Sequence, residues 1–152
     1  MQKVTFSIDI NASKETAWQI MLADASYREW SNVFCEGSYA VTDWKEGSKA
    51  RFLSPSGDGM FSRIARHRPA EFLSIEHLGV IKNGADVEAG DAQGWAGAHE
   101  NYSIRDIGGG VSRLTIEMDS TDEYKGYFDE TWPKALARLK EVVEANRRAA
   151  VA

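Results

Sequence analysis

The strongest constraint on the fold of this chain is the apolar stripe of its C-terminal segment. From Tyr124 to Val143 the apolar residues fall at Tyr124, Phe128, Trp132, Ala135, Leu136, Leu139, Val142 and Val143. Steps of three and four put them on one face of a helix. The first half of that stripe, with Tyr127 beside it, is strongly aromatic. Most of the chain between Val33 and Ser120 reads instead as short strands and turns. A sheet followed by one long terminal helix must bury the helix stripe on a sheet face. A curved sheet wrapped around such a helix often encloses a cavity. The pattern therefore points to a pocket and says far less about its occupant.

The helix has legible ends. Ser120-Thr121-Asp122-Glu123 matches a capping box. Asp122 and Glu123 suit the positive N-terminus, and Arg147 and Arg148 the negative C-terminus. Pro133 lacks a backbone donor and its ring opposes the carbonyl of Asp129, so a kink is expected there. From Thr121 to Arg148 a helix would span about 40 Å, enough to cross a sheet.

Upstream, Val4, Phe6, Ile8 and Ile10 alternate with polar residues, as in a half-buried strand. Ser13 is a good N-cap for a helix carrying Ala17, Trp18, Ile20, Met21 and Leu22. Asp24 could cap a second short helix through Tyr27 to Trp30. Strands are expected at Cys35–Trp44, Lys49–Ser54, Met60–Arg68, Phe72–Leu78, Ala96–Asp106 and Val111–Asp119. Turn signals separate them at Lys45–Gly47, Ser54–Gly59, Pro69-Ala70 and Gly108–Gly110. Gly79–Trp95 reads as a long acidic loop, and loops of that length are usually functional or mobile.

Composition narrows the class. The chain has 152 residues, 43% hydrophobic and 27% charged, which suits one ordinary domain spanning residues 1–152. A net charge of -5 argues against generic binding to nucleic acid or to an anionic membrane. Cys35 is the single cysteine, so no intrachain disulfide can form. Met1 to Ile10 lacks the hydrophobic core of a leader, and no apolar run reaches the ~20 residues of a membrane helix. A cytoplasmic location without membrane insertion is the expectation.

In this order of elements the chain resembles the START-like SRPBCC superfamily. It is similar in particular to the branch named after activators of the heat-shock-protein-90 ATPase. The residues carrying the likeness are Ile10-Asn11-Ala12-Ser13-Lys14-Glu15-Thr16-Ala17-Trp18, Arg28-Glu29-Trp30-Ser31, Pro69-Ala70-Glu71-Phe72-Leu73-Ser74-Ile75-Glu76-His77 and the helix segment from Phe128 to Lys140 with its proline. The resemblance implies an α+β helix-grip fold: a seven-stranded antiparallel sheet gripping the long helix, two short helices after the first strand, and a cavity between sheet and helix. It also implies a range of activities, from lipid, hormone or polyketide binding to cyclase or hydrolase chemistry, among which fold alone does not choose.

Several side chains are candidates for chemistry. Phe128 and Trp132 could line a pocket or fill a core. Glu100 is in phase with Ala98, Tyr102 and Ile104, so it should face inward. In a dry cavity its carboxyl could act as acid or base; the plainer alternative is a wet strand end or a basic partner. His77 is in phase with Leu73 and Ile75. His67, His77 and His99 sit on separate expected strands, which argues against a zinc cluster. Arg66 and Arg68 beside His67 read as a solvated face. Cys35 reads as a small buried hydrophobe. Asp86, Glu88 and Asp91 lack the spacing of a calcium loop.

The leading expectation is binding of a small apolar or amphipathic molecule. Walls would come from Phe52, Met60, Tyr102, Phe128, Trp132 and Leu136, with Glu100 and His77 as polar anchors. Trp18 and Trp30 are assigned to packing the short helices. Neither a cofactor nor a metal is expected. The alternatives are a cyclase or hydrolase using Glu100 or His77 for proton transfer, and a chaperone-regulating interaction module. A weak homodimer or a protein partner is left open beside the small apolar ligand.

Overall fold

A computed structural model of the chain describes residues 2–87 and 97–151. The element order is β1 (Gln2–Ile10), α1 (Lys14–Leu22), α2 (Asp24–Ser31), β2 (Tyr39–Val41), β3 (Lys49–Leu53), β4 (Gly59–Arg68), β5 (Phe72–Lys82), β6 (Ala85–Val87), β7 (His99–Gly108), β8 (Val111–Ser120) and α3 (Asp122–Val151). Seven strands form a curled antiparallel sheet in the order β1-β8-β7-β5-β4-β3-β2, and the short β6 pairs with β5 beside it. The architecture is the α+β helix-grip arrangement. No helix among the described residues is long and apolar enough to cross a membrane.

Local chemistry explains most boundaries. In β1, Val4 and Ile10 are buried and Phe6 and Ile8 half-buried, while Lys3, Thr5, Ser7 and Asp9 face solvent. The Ser13 hydroxyl accepts from the Thr16 amide at 3.2 Å and so caps α1. Asp24 does not cap α2. It is the first residue of that helix, Ala23 holds the cap position, and the Asp24 carboxylate binds Arg28 instead. The Gly108–Gly110 turn has three successive positive φ angles of 97°, 64° and 76°, which side chains would strain.

Three expectations are corrected. The strand expected over Cys35–Trp44 shrinks to Tyr39–Val41, because side chains capture the backbone on both sides. Asn32 Oδ1 accepts from the Gly37 amide at 2.8 Å, and the Ser38 hydroxyl donates to the Cys35 carbonyl at 2.6 Å. Thr42 Oγ1 accepts from the amide of Trp44, whose φ is 62°. Second, β5 runs on through Gly79 to Lys82, where a long loop was expected, and turns at Asn83-Gly84 into β6. Both turn residues have positive φ, 52° and 77°, as a type I′ hairpin requires. The rest of the expected loop, residues 88–96, lies outside the described residues. Third, the Ser120 hydroxyl donates to the Thr121 carbonyl at 2.8 Å rather than capping a helix amide.

α3 is a single helix with Pro133 inside it. It packs against α1, α2 and β1. Its second half supplies core residues Ala135, Leu136, Leu139, Val142 and Val143, all at most 2% exposed. They meet Ile10, Ile20, Met21, Leu114 and Ile116 in one cluster.

Asp119 joins three strands on the far edge of this core. Its carboxylate accepts from the His99 amide at 2.9 Å and from Lys3 Nζ at 3.3 Å. Partial burial pushes the carboxyl up, but the His99 amide and Lys3 more than reverse this and hold it below the ordinary 3.8. A carboxyl depressed in the folded state stabilises above its unfolded pKa, and that contribution is lost as pH falls through the folded value. Asp119→Asn keeps an acceptor for the amide and loses the charge. It is expected to cost about 1 kcal/mol at neutral pH. In thermal melts the gap from wild type should narrow as pH falls through that lowered value; a gap constant with pH would refute the assignment.

Candidate functional site

Between α2, the first half of α3 and the strands β3, β4, β5, β7 and β8 lies a cavity of about 410 Å³. This is within the usual range for small-molecule sites. The structure brings Phe52, Met60, His77, Glu100, Tyr102, Phe128 and Trp132 to its wall. Leu136 is not among them: it is 2% exposed and belongs to the core cluster. The physical reason is the rise of the helix: Leu136 shares a face with Trp132 but stands about 6 Å further along the axis, among the core residues.

The sheet register assembles the polar centre. Ile75 on β5 faces Glu100 on β7, so His77, two residues on, is the diagonal neighbour of Glu100. His77 Nε2 lies 3.3 Å from Glu100 Oε1, and His77 Nδ1 lies 2.7 Å from Ser62 Oγ. The Tyr102 hydroxyl donates to the other oxygen of Glu100. A neutral imidazole with its proton on Nε2 satisfies this chain, donating to Glu100 and accepting from Ser62. Ser62 is buried and absent from the cavity wall, so it orients the imidazole rather than meeting a ligand. Glu100 thus meets a basic side chain, His77, which is one form of the plainer expectation.

Burial, then the negative Glu100 and the nearby Tyr27, push the Tyr102 phenol well above its ordinary value. Burial, with Glu100 again, does the same to Tyr27. Both stay neutral across the physiological range. The centre can accept a hydrogen bond or a positive charge from a bound molecule at Glu100.

Sequence reasoning missed the contribution of α2 and the turn after it. Tyr27, Trp30, Ser31 and Phe34 all reach the cavity. The signal was present, since Tyr27, Trp30 and Ser31 share a face at helical spacing. Trp30 does pack α2, with its indole N–H donating to the Met21 carbonyl at 3.0 Å, and its ring also forms cavity wall. Trp18 lies elsewhere, its N–H donating to His67 Nε2 at 2.9 Å. His67 is thereby tied down, with Nδ1 also 2.7 Å from the Trp44 carbonyl. Cys35 is exposed and on the cavity wall rather than in the core. Among the described residues no three His, Cys, Asp or Glu side chains gather as metal ligands.

No family model and no curated protein matches the chain. Solved structures do. Protein MLL2253 from Mesorhizobium loti superimposes with a TM-score of 0.72 at 13% identity, covering 95% of this chain and 98% of that one. The Aha1 dimer from Colwellia psychrerythraea gives 0.69 at 17% identity, covering 95% and 97%. CalU16 from Micromonospora echinospora gives 0.66 at 14% identity, covering 97% and 80%. Likeness at such identities speaks for architecture: the chain has the helix-grip fold, similar to that of the Aha1 structure.

Proposed function

We propose that the chain binds a small amphipathic molecule in the cavity between the sheet and the first half of α3. The observation that carries this reading is the hydrogen-bonded Glu100–His77–Tyr102 centre at the wall of a cavity rich in aromatic rings. An apolar space of this size with a few converging polar groups favours a molecule with an apolar body and one or two polar atoms. Burying a carboxylate beside rings is costly unless it is hydrogen-bonded, and here two protein donors hold it in place. The similarity to a protein solved as a dimer adds self-association as a secondary possibility for this chain.

The test is titration with N-phenyl-1-naphthylamine, a neutral apolar dye. Saturable binding in the micromolar range, with quenching of tryptophan emission, is the expected result. Met60→Trp, which fills the cavity from β4, should weaken it by about tenfold or more. Absence of saturable binding to the wild type, or full binding to the filled variant, would remove the reading.

A further inference from the structure

We propose that the cavity selects organic cations: an amphipathic amine or ammonium whose nitrogen sits at Glu100 and whose apolar body lies on the aromatic wall. This rests on the cavity being a ligand site, and adds what kind of ligand it takes.

The charges on the wall are one-sided. Glu100 and the exposed Asp58 are its acids, and no lysine or arginine is among its described lining residues. The Glu100 side chain is 18% exposed, so it is sheltered yet reachable from the cavity. Its hydrogen bonds to Tyr102 and His77 use one lone pair on each oxygen, and a carboxylate has more to offer. The two nearby phenols stay neutral and add no charge of their own.

The surroundings fit a positive guest. Nearly half of the described lining residues are aromatic. Ring faces attract a cation within about 6 Å, and the attraction grows when water is excluded. Trp132 and Tyr102 lie 6.1 Å apart between centroids, and Trp132 meets Phe34 at 4.8 Å, so these rings form one connected aromatic group that begins at Tyr102, a hydrogen-bond partner of Glu100.

The same features reject anions. A carboxylate guest would approach Glu100 as a like charge, with no lysine or arginine on the described wall and with the imidazole there, His77, already turned to Glu100 and Ser62. A neutral alcohol gains the hydrogen bond but not the charge. The expected order is amine, then alcohol, then carboxylate.

Three compounds with one body separate these cases: 4-phenylbutylamine, 4-phenylbutan-1-ol and 4-phenylbutyrate, each measured by calorimetry near neutral pH and by displacement of N-phenyl-1-naphthylamine. The amine should bind about tenfold tighter than the alcohol, and the carboxylate about tenfold weaker than the alcohol. Glu100→Gln should abolish the advantage of the amine over the alcohol. The inference is overturned if the carboxylate binds as well as the alcohol, if the amine keeps its advantage in E100Q, or if none of the three displaces a dye that does bind. In each of those cases dye binding leaves the ligand-site reading standing, whereas a dye that does not bind sinks both. Should E100Q fail to fold, the wild-type order alone decides.

Discussion

Replacing Trp132 with alanine is expected to destabilise the chain by about 3–5 kcal/mol, the usual cost of removing a buried tryptophan. The side chain is 3% exposed. Its ring meets those of Phe6, Trp30, Phe34 and Tyr102, with centroids 4.8 to 6.3 Å away. Its indole N–H points at the sulfur of Met118 at 3.0 Å. A residue that only lined a cavity would cost less, since it has neighbours on fewer sides. Here the ring is enclosed from β1, β7, α2 and the turn after α2, and only part of it faces the cavity. A domain of this size has about 5–15 kcal/mol in all, so the melting temperature should fall by roughly 6–20 °C. A loss nearer ~1 kcal/mol would mean that the ring faces open space.

Leu136→Ala should be comparably costly, about 2–5 kcal/mol, but without effect on the site. Leu136 is one helical turn beyond Trp132, 2% exposed, and surrounded by the core cluster. Provided the variant is still folded at the temperature of the titration, its affinity for N-phenyl-1-naphthylamine should stay within roughly twofold of wild type, as for sites that share no partner. Phe128→Ala should do the reverse. That side chain is half-buried and on the cavity wall, so the thermal cost is smaller and the loss of dye affinity larger. If Leu136→Ala weakened the dye as much as Phe128→Ala, the boundary between core and cavity along α3 would be misplaced.

These two positions also show how far the sequence could be read. The stripe from Tyr124 to Val143 was legible because helical periodicity is local. What each turn of that stripe touches is not local, so Leu136 was assigned to the pocket with Trp132. The inward phase of His77 and Glu100 followed from alternation along their strands. Their meeting depends on the register of β5 against β7, which no single strand encodes. Asn83-Gly84 is a different case. It is the strongest short hairpin signal there is, and it was overlooked inside a stretch judged by its glycines and acids. The shortening of β2 turned on hydrogen bonds from Asn32, Ser38 and Thr42 to backbone, a competition that residue propensities do not resolve.

The division of α3 has a consequence for how chains of this shape can change. One element carries two burdens in series: rings that shape a space before Pro133, and aliphatic side chains that close the core after it. Substitutions in the first half alter what the space accepts, while the second half continues to hold the helix on β1 and α1. Retention of the fold and diversification of its contents are therefore placed on different turns of the same helix. The chain shares its architecture with MLL2253 at 13% identity; along α3, the turns before Trp132 are those that can be rewritten for a different occupant at least cost to the core.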